Sequence, residues 1–367
     1  MGVVVLVTRV VCAVFVAAQA LLVATAAAQS LPIEHIQLRG DRFRGLAYAE
    51  MTPAQRVMLD HTVNSPRSVT NTTANGPFNV LLRSPEIGDL VQQLGNSIRF
   101  ASGLSAAQRE LATLAAGRAW TSRYEWYAHA RYAAQAGVPA RVIDAIAAGR
   151  PPDLAALAND EALAWRAAEE LMFTRRVSDA TYHDALAALG EQRLAAAAAL
   201  AAYYELVSMI LNVDRYPLPP DAPPGAADAL AALPQAALYR APAGPVTPRP
   251  PLPETDYDRA IESLLARLVS DADLPRGTVL AVAHALLEQW NRTPHGADQT
   301  LAYRFVSELL ATRAVSDATF AAARDSFGER NLVNVLVLTG AFNLYCAKLA
   351  LAGNACSLDD PLGRQRQ

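Results

Sequence analysis

The stretch RELATLAAGRAWTSRYEWYAHARYAAQAGV, residues 109–138, decides how this chain folds. Its alanine-rich runs favour helix, because alanine has the highest helix propensity. Strand signals are scarce along the whole sequence, so the chain reads as all-α. Within the stretch, Ser122, Glu125, His129 and Tyr132 follow one another at spacings of three, four and three. On a helix that places them on one face, bordered by Trp126. The spacing suits two arrangements. One is an ordinary helix-surface pair worth a few tenths of a kcal/mol. The other is an acid–base pair in a pocket: glutamate beside histidine favours imidazolium, and apolar surroundings raise a carboxyl pKa. Such a pair holds one proton near neutral pH, as general acid–base catalysis requires. Glu110 adds a second carboxylate. A straight helix through 106–132 would turn it away from this face, whereas a break at Thr121–Ser122, where two hydroxyl residues meet, folds it back. It otherwise reads as an acidic first-turn residue favoured by the helix dipole.

The composition sets the wider frame. A chain of 367 residues favours two units or a duplicated one. Apolar residues make up 52% and charged residues 18%, ample for a large core. A formal charge of −3 with no lysine- or arginine-rich run argues against nucleic acid as a partner. Residues 1–28 read as an export signal: one charge at Arg9, an apolar run from Val10, and Ala26 and Ala28 as an A-x-A site. The mature chain would start at Gln29, exported to the periplasm or secreted, with no membrane association after cleavage. The alternative is an uncleaved anchor, since the run approaches the roughly 18–20 residues needed to span a bilayer. No later stretch reads as a second span. Cleavage removes Cys12 and leaves Cys346 and Cys356, open to a disulfide in an exported chain or to burial as small hydrophobes. No cysteine spacing signals a metal site or thiol redox chemistry, and no pair of histidines has metal-ligand spacing.

The chain divides by composition and by repetition. Residues 29–75 read as an irregular N-terminal arm with one helix near TPAQRVMLD. A helical lobe with the candidate site occupies 76–215. It has helix starts at Ser84–Pro85 and at the Ser105/Gln108 capping box, and a stop at Gly137. Residues 216–256 form a proline-rich linker, with 12 of the 23 prolines between Tyr216 and Pro253. A second, degenerate helical lobe covers 257–355 and a tail 356–367. The segments beginning at Asp160 and Asp298 align without a gap, with about 20 of about 53 positions identical, which indicates duplication. The shared VSDAT supplies a serine N-cap, and the shared Gly-Glu is expected to close the helix that follows. At this offset of 138, His129 falls on Arg267 and Glu125 on Ser263, so the chemistry belongs to the first lobe.

The segments GPFNVLLRSPEIGDLVQQLGNSIRF, RELATLAAGRAWTSRYEWYAHARYAAQAGV and the RRVSDATY…LGEQRL…LNVDRYPLPP tail resemble the carboxymuconolactone decarboxylase family, within the alkyl hydroperoxidase D-like superfamily. In the peroxidase branch a glutamate precedes a C-x-x-C pair by 12 residues, and a histidine follows it. Laid on this chain, those positions are Glu110, Ser122, Glu125 and His129, so both cysteines are absent. Without a thiolate there is no peroxidatic sulfur. The Glu-Trp-x-x-His pattern resembles the decarboxylase branch instead. The resemblance implies an alkyl hydroperoxidase D-like helical fold, assembly into trimers or hexamers, a site without cofactor or metal, and a small unsaturated lactone or carbonyl acid as substrate. On this reading His129 relays the proton, Glu125 sets its protonation state and Glu110 completes the relay. Ser122, Trp126 and Tyr132 line the site, and Arg109, Arg118 and Arg123 are candidates to grip a substrate carboxylate. Arg131 reads as a surface charge. A reading from another class is a non-catalytic helical binding or assembly protein that keeps the frame. A third is residual peroxidase activity requiring Cys346 or Cys356.

Overall fold

Hydroxyl side chains cap the helix starts at Thr52, Ser105, Ser178, Thr255, Thr300 and Ser316. The computed structural model describes residues 32–66, 74–234, 240–242, 244–270, 274–292, 300–359 and 361–362. The export-signal reading over 1–28 lies outside the described residues. Among them the chain is all-helical. Helix α1 spans Pro53–Val63, opened by a capping box in which Thr52 accepts from Gln55 N–H. A single turn, α2, at Phe78–Leu81 leads into α3, Pro85–Phe100, with proline in its first turn. The Ser105/Gln108 capping box opens α4, Ala106–Ala119. Helix α5, Arg123–Gln135, follows after a break, and α6 spans Ala140–Ala147. Then come α7, Asn159–Thr174, and the long α8, Asp179–Asp214. The second half repeats the plan with α9, Asp256–Ser270; α10, Arg276–Asn291; α11, Leu301–Thr312; and α12, Asp317–Leu351.

The duplication is visible in backbone detail. Ser178 and Ser316 cap α8 and α12, each accepting from a threonine N–H three residues on. Arg175 and Arg313 end α7 and α11 with φ of 59° and 64°. The glycine expected to close a helix makes a kink in each copy: Gly190 has φ 74° and ψ 170°, Gly328 φ 72° and ψ 164°. That region is open essentially to glycine alone, and helix resumes at once because the following residues bury an apolar face. Trp120, after α4, and Trp290, in the last turn of α10, stand 170 residues apart. Both donate their indole N–H into the same buried cluster, to Glu205 Oε1 and Asn343 Oδ1, each at 2.8 Å. The offset of 138 therefore holds only from α7 onward. Upstream it is 170, and the second copy is shorter by about 32 residues, the length of α5, α6 and their loops. The position matching Glu110 is Leu280 rather than a residue read at 138. The second lobe lacks the helix that carries the Glu-x-x-x-His pattern altogether.

The long helices α8 and α12 pack on each other and α3 packs on α9, so like elements pair across the molecule. The buried apolar residues form one cluster through both halves. Glu205, 1% exposed, sits at the seam. It accepts from both Arg175 terminal nitrogens (2.6 and 2.8 Å), from Trp120 and from Asn343 of α12. The proline-rich segment is docked on this core: Arg240 N–H donates to Phe173 O, and Pro245 O accepts from Asp179 N–H. Helices α8 and α12 do have the length and apolar composition of membrane spans, contrary to the sequence reading. However, 89% and 83% of their most apolar windows are buried inside the protein, as for core helices. Cys346 and Cys356 are joined in a disulfide.

Candidate active site

The break between α4 and α5 builds the site. Helix α4 ends at Ala119, Thr121 takes φ 47°, and Ser122 takes the N-cap position of the new helix without a side-chain cap bond. The turn swings α5 back across α4, so Glu110 and His129, 19 residues apart, meet. His129 Nδ1 lies 2.5 Å from Glu110 Oε2. His129 Nε2 lies 3.2 Å from Glu125 Oε2. The three side chains are at most 9% exposed. The imidazole is thus held between two buried carboxylates, which excludes the surface-pair arrangement.

Helix α3 supplies a fourth member. Arg99 Nη2 donates to Glu110 Oε1 at 2.7 Å, and its Nη1 donates to the Tyr204 hydroxyl. The guanidinium also stacks over the Tyr204 ring, 5.4 Å from its centroid. Burial opposes ionisation of Glu110, but His129 and then Arg99 overcome it and hold the carboxyl at about 2. An ionised carboxylate only accepts, so His129 Nδ1 carries a proton. On its other side, Nε2 faces the Glu125 carboxyl. Burial pushes the Tyr204 phenol well above its ordinary range, so it stays protonated. Tyr132 and Tyr204 pack edge-on to the imidazole, with centroids 5.5 and 4.8 Å away.

Glu125, His129, Tyr132, Arg99 and Tyr204 line a pocket of ≈ 100 Å³, together with Gln92, Asn96 and Tyr203. Other residues singled out in the sequence lie elsewhere. Trp126 is buried in the core, at 4% exposure. Ser122 and Arg123 line a different cavity, because they sit at the start of α5 while the pocket forms one to two turns on. Arg118 is buried and donates to Ala231 O at 2.5 Å. Arg109 donates to Leu104 O and lies over the Phe100 ring, which lines the pocket, but does not line it itself. Arg131 is exposed and donates to the Tyr127 hydroxyl. None of the three candidate arginines reaches the pocket, and Arg99 stands there instead. Its sequence context, a cation in the last turn of a helix, has an ordinary explanation in the helix dipole. Among the described residues no group of three or more His, Cys, Asp or Glu side chains is disposed to hold a metal ion.

An all-helical bundle with a buried carboxylate–imidazole–carboxylate row is the class that fold and site define. Residues 85–170, from the start of α3 through most of α7 and including Glu110, Glu125 and His129, match the model of the Carboxymuconolactone decarboxylase family. Comparison with curated proteins and with solved structures gives no match.

Proposed function

We propose that this protein is a cofactor-independent acid–base enzyme acting on a small unsaturated lactone or carbonyl acid, with decarboxylation as the reaction. The observation that carries the reading is the row Glu110–His129–Glu125, buried yet opening on a pocket. When the bond to the substrate carboxylate breaks, CO2 leaves and its electron pair passes into the conjugated carbonyl as a dienolate. Carbon then takes the proton held between His129 Nε2 and Glu125, and solvent replenishes it. Glu110 fixes the Nδ1–H tautomer, and Arg99 locks Glu110 in place. Arg99 also puts positive charge beside the pocket, suited to a substrate anion. The ≈ 100 Å³ volume favours a small substrate.

The test is CO2 release from 4-carboxymuconolactone and related unsaturated lactone acids by the purified chain. The reading expects turnover with at least one of them, lost in Glu125→Gln. Unchanged turnover in that variant overturns the proton-transfer role. The internal pairing of all four charges also suits a structural ion cluster in a non-catalytic protein. That alternative expects no turnover, and loss of stability alone when His129 or Glu125 is replaced. Export and homo-oligomeric assembly belong to the same proposal. The mass of the N-terminus after secretion and the sedimentation of the mature chain test them.

A further inference from the structure

A second and larger cavity lies at the other side of the α5 N-terminus. It has a volume of ≈ 810 Å³, and Tyr124 lines both it and the smaller pocket. Its apolar wall includes Trp120, Tyr216 and Leu233. Its polar wall brings together Arg123 of α5, Arg215 at the end of α8 and Arg313 at the end of α11. The cavity thus needs both lobes. Among the described residues no aspartate or glutamate lines it. Asp317, outside the cavity, pairs with Arg215 at 2.5 Å, and Arg313 donates to the Thr121 hydroxyl.

A buried group in the cavity wall points to a missing anion. Ser122 lines the cavity at the N-cap of α5, where a serine ordinarily accepts from a first-turn N–H. Here it makes no such bond, and its Oγ, shut off from solvent, has no hydrogen-bond partner. Arg118, outside the cavity lining but bonded to Ala231 O next to it, is 2% exposed, and its Nε and Nη1 have no partner. Burial, and then the charge of Arg313, pull the Arg118 guanidinium down to about 10. A buried cation without a counter-ion is costly. The helix N-terminus adds partial positive charge at the same place.

We propose that this interlobe cavity binds a small organic carboxylate, its anionic group at the α5 N-terminus against Ser122 Oγ and between Arg123 and Arg313, its apolar body on Trp120 and Tyr216. The site is separate from the Glu110–His129–Glu125 row and stands whether or not that row is catalytic.

Calorimetric titration of the full chain with 1-naphthoate tests it, with the neutral 1-naphthamide as the matched control. Saturable one-to-one binding of 1-naphthoate is expected, weakening with added salt, and about tenfold weaker or absent for 1-naphthamide. Arg123→Gln and Ser122→Ala should each weaken 1-naphthoate by about threefold to tenfold. Arg123 is exposed and the Ser122 hydroxyl makes no hydrogen bond, so both variants should keep the wild-type circular dichroism. His129→Gln should bind 1-naphthoate as the wild type does. Equal affinity for the amide, wild-type affinity in both cavity variants, loss of binding in His129→Gln, or no saturable heat overturns the proposal.

Discussion

Glu110 shows how one residue couples the fold to the site. Its carboxylate is buried, accepts from Arg99 and faces the imidazole. Its pKa falls from an ordinary 4.5 to about 2. A depressed carboxyl contributes stability that is complete above its unfolded value and is lost as pH falls through its folded value. The window is therefore about pH 4.5 down to 2, and the contribution about 3 kcal/mol, at 1.36 kcal/mol for each pKa unit. Denaturant midpoints measured across that range should fall steeply for the wild type and much less for Glu110→Gln. The pairing of Glu110 with His129 was legible before the structure, because the 19-residue separation, with two hydroxyl residues at the break between, constrains where the helices can turn. Arg99 and Tyr204 were not legible. Their contact joins residues 105 positions apart and arises only when α3 and α8 pack around α4. The candidate arginines Arg109, Arg118 and Arg123 failed for the same reason: nearness along the chain does not say which way a guanidinium points.

At the scale of elements, the kinks in α8 and α12 are the sharpest constraint. Gly190 and Gly328 hold a backbone conformation that an L side chain strongly disfavours, yet an added Cβ at either would meet nothing within 4 Å. The cost of Gly190→Ala is therefore conformational rather than steric, about 1–3 kcal/mol. Thermal denaturation should show a lowered midpoint for Gly190→Ala and a similar one for Gly328→Ala. Helix existence and several starts could be read from caps such as Ser105, Ser178 and Ser316. The kink could not, since a glycine followed by glutamate signals a stop, and only burial of the next stretch restarts the helix. The break at Thr121–Ser122 stood in the sequence only as an alternative to a straight helix, suggested by the two adjacent hydroxyl residues, and the structure shows it.

For the whole molecule, Glu205 ties the duplicated halves together and is expected to make them unfold as one body. This carboxylate lies in α8 and takes hydrogen bonds from the end of α7, from the residue after α4, and from α12 in the other half. Removing it leaves the buried Arg175 guanidinium without its counter-charge. Glu205→Ala should therefore cost about 3–5 kcal/mol, and tryptophan fluorescence during denaturant unfolding should report it, as Trp120 and Trp290 join the same cluster. If each half unfolded independently, with the second half unaffected by the change, the seam would not have this role. The repeat itself was legible from VSDAT onward. Its upstream half was hidden, because loss of the α5–α6 segment shifts the register and few identities survive there beyond Trp120 and Trp290. That loss leaves one carboxylate–imidazole–carboxylate row in the chain, and the functional claim rests on it. Its most direct test is turnover of an unsaturated lactone acid by wild type and by His129→Gln, with circular dichroism recorded on both. A fall of about 10²–10⁴ in rate with the helical spectrum retained is the predicted result. Turnover in His129→Gln equal to that of the wild type would contradict the account.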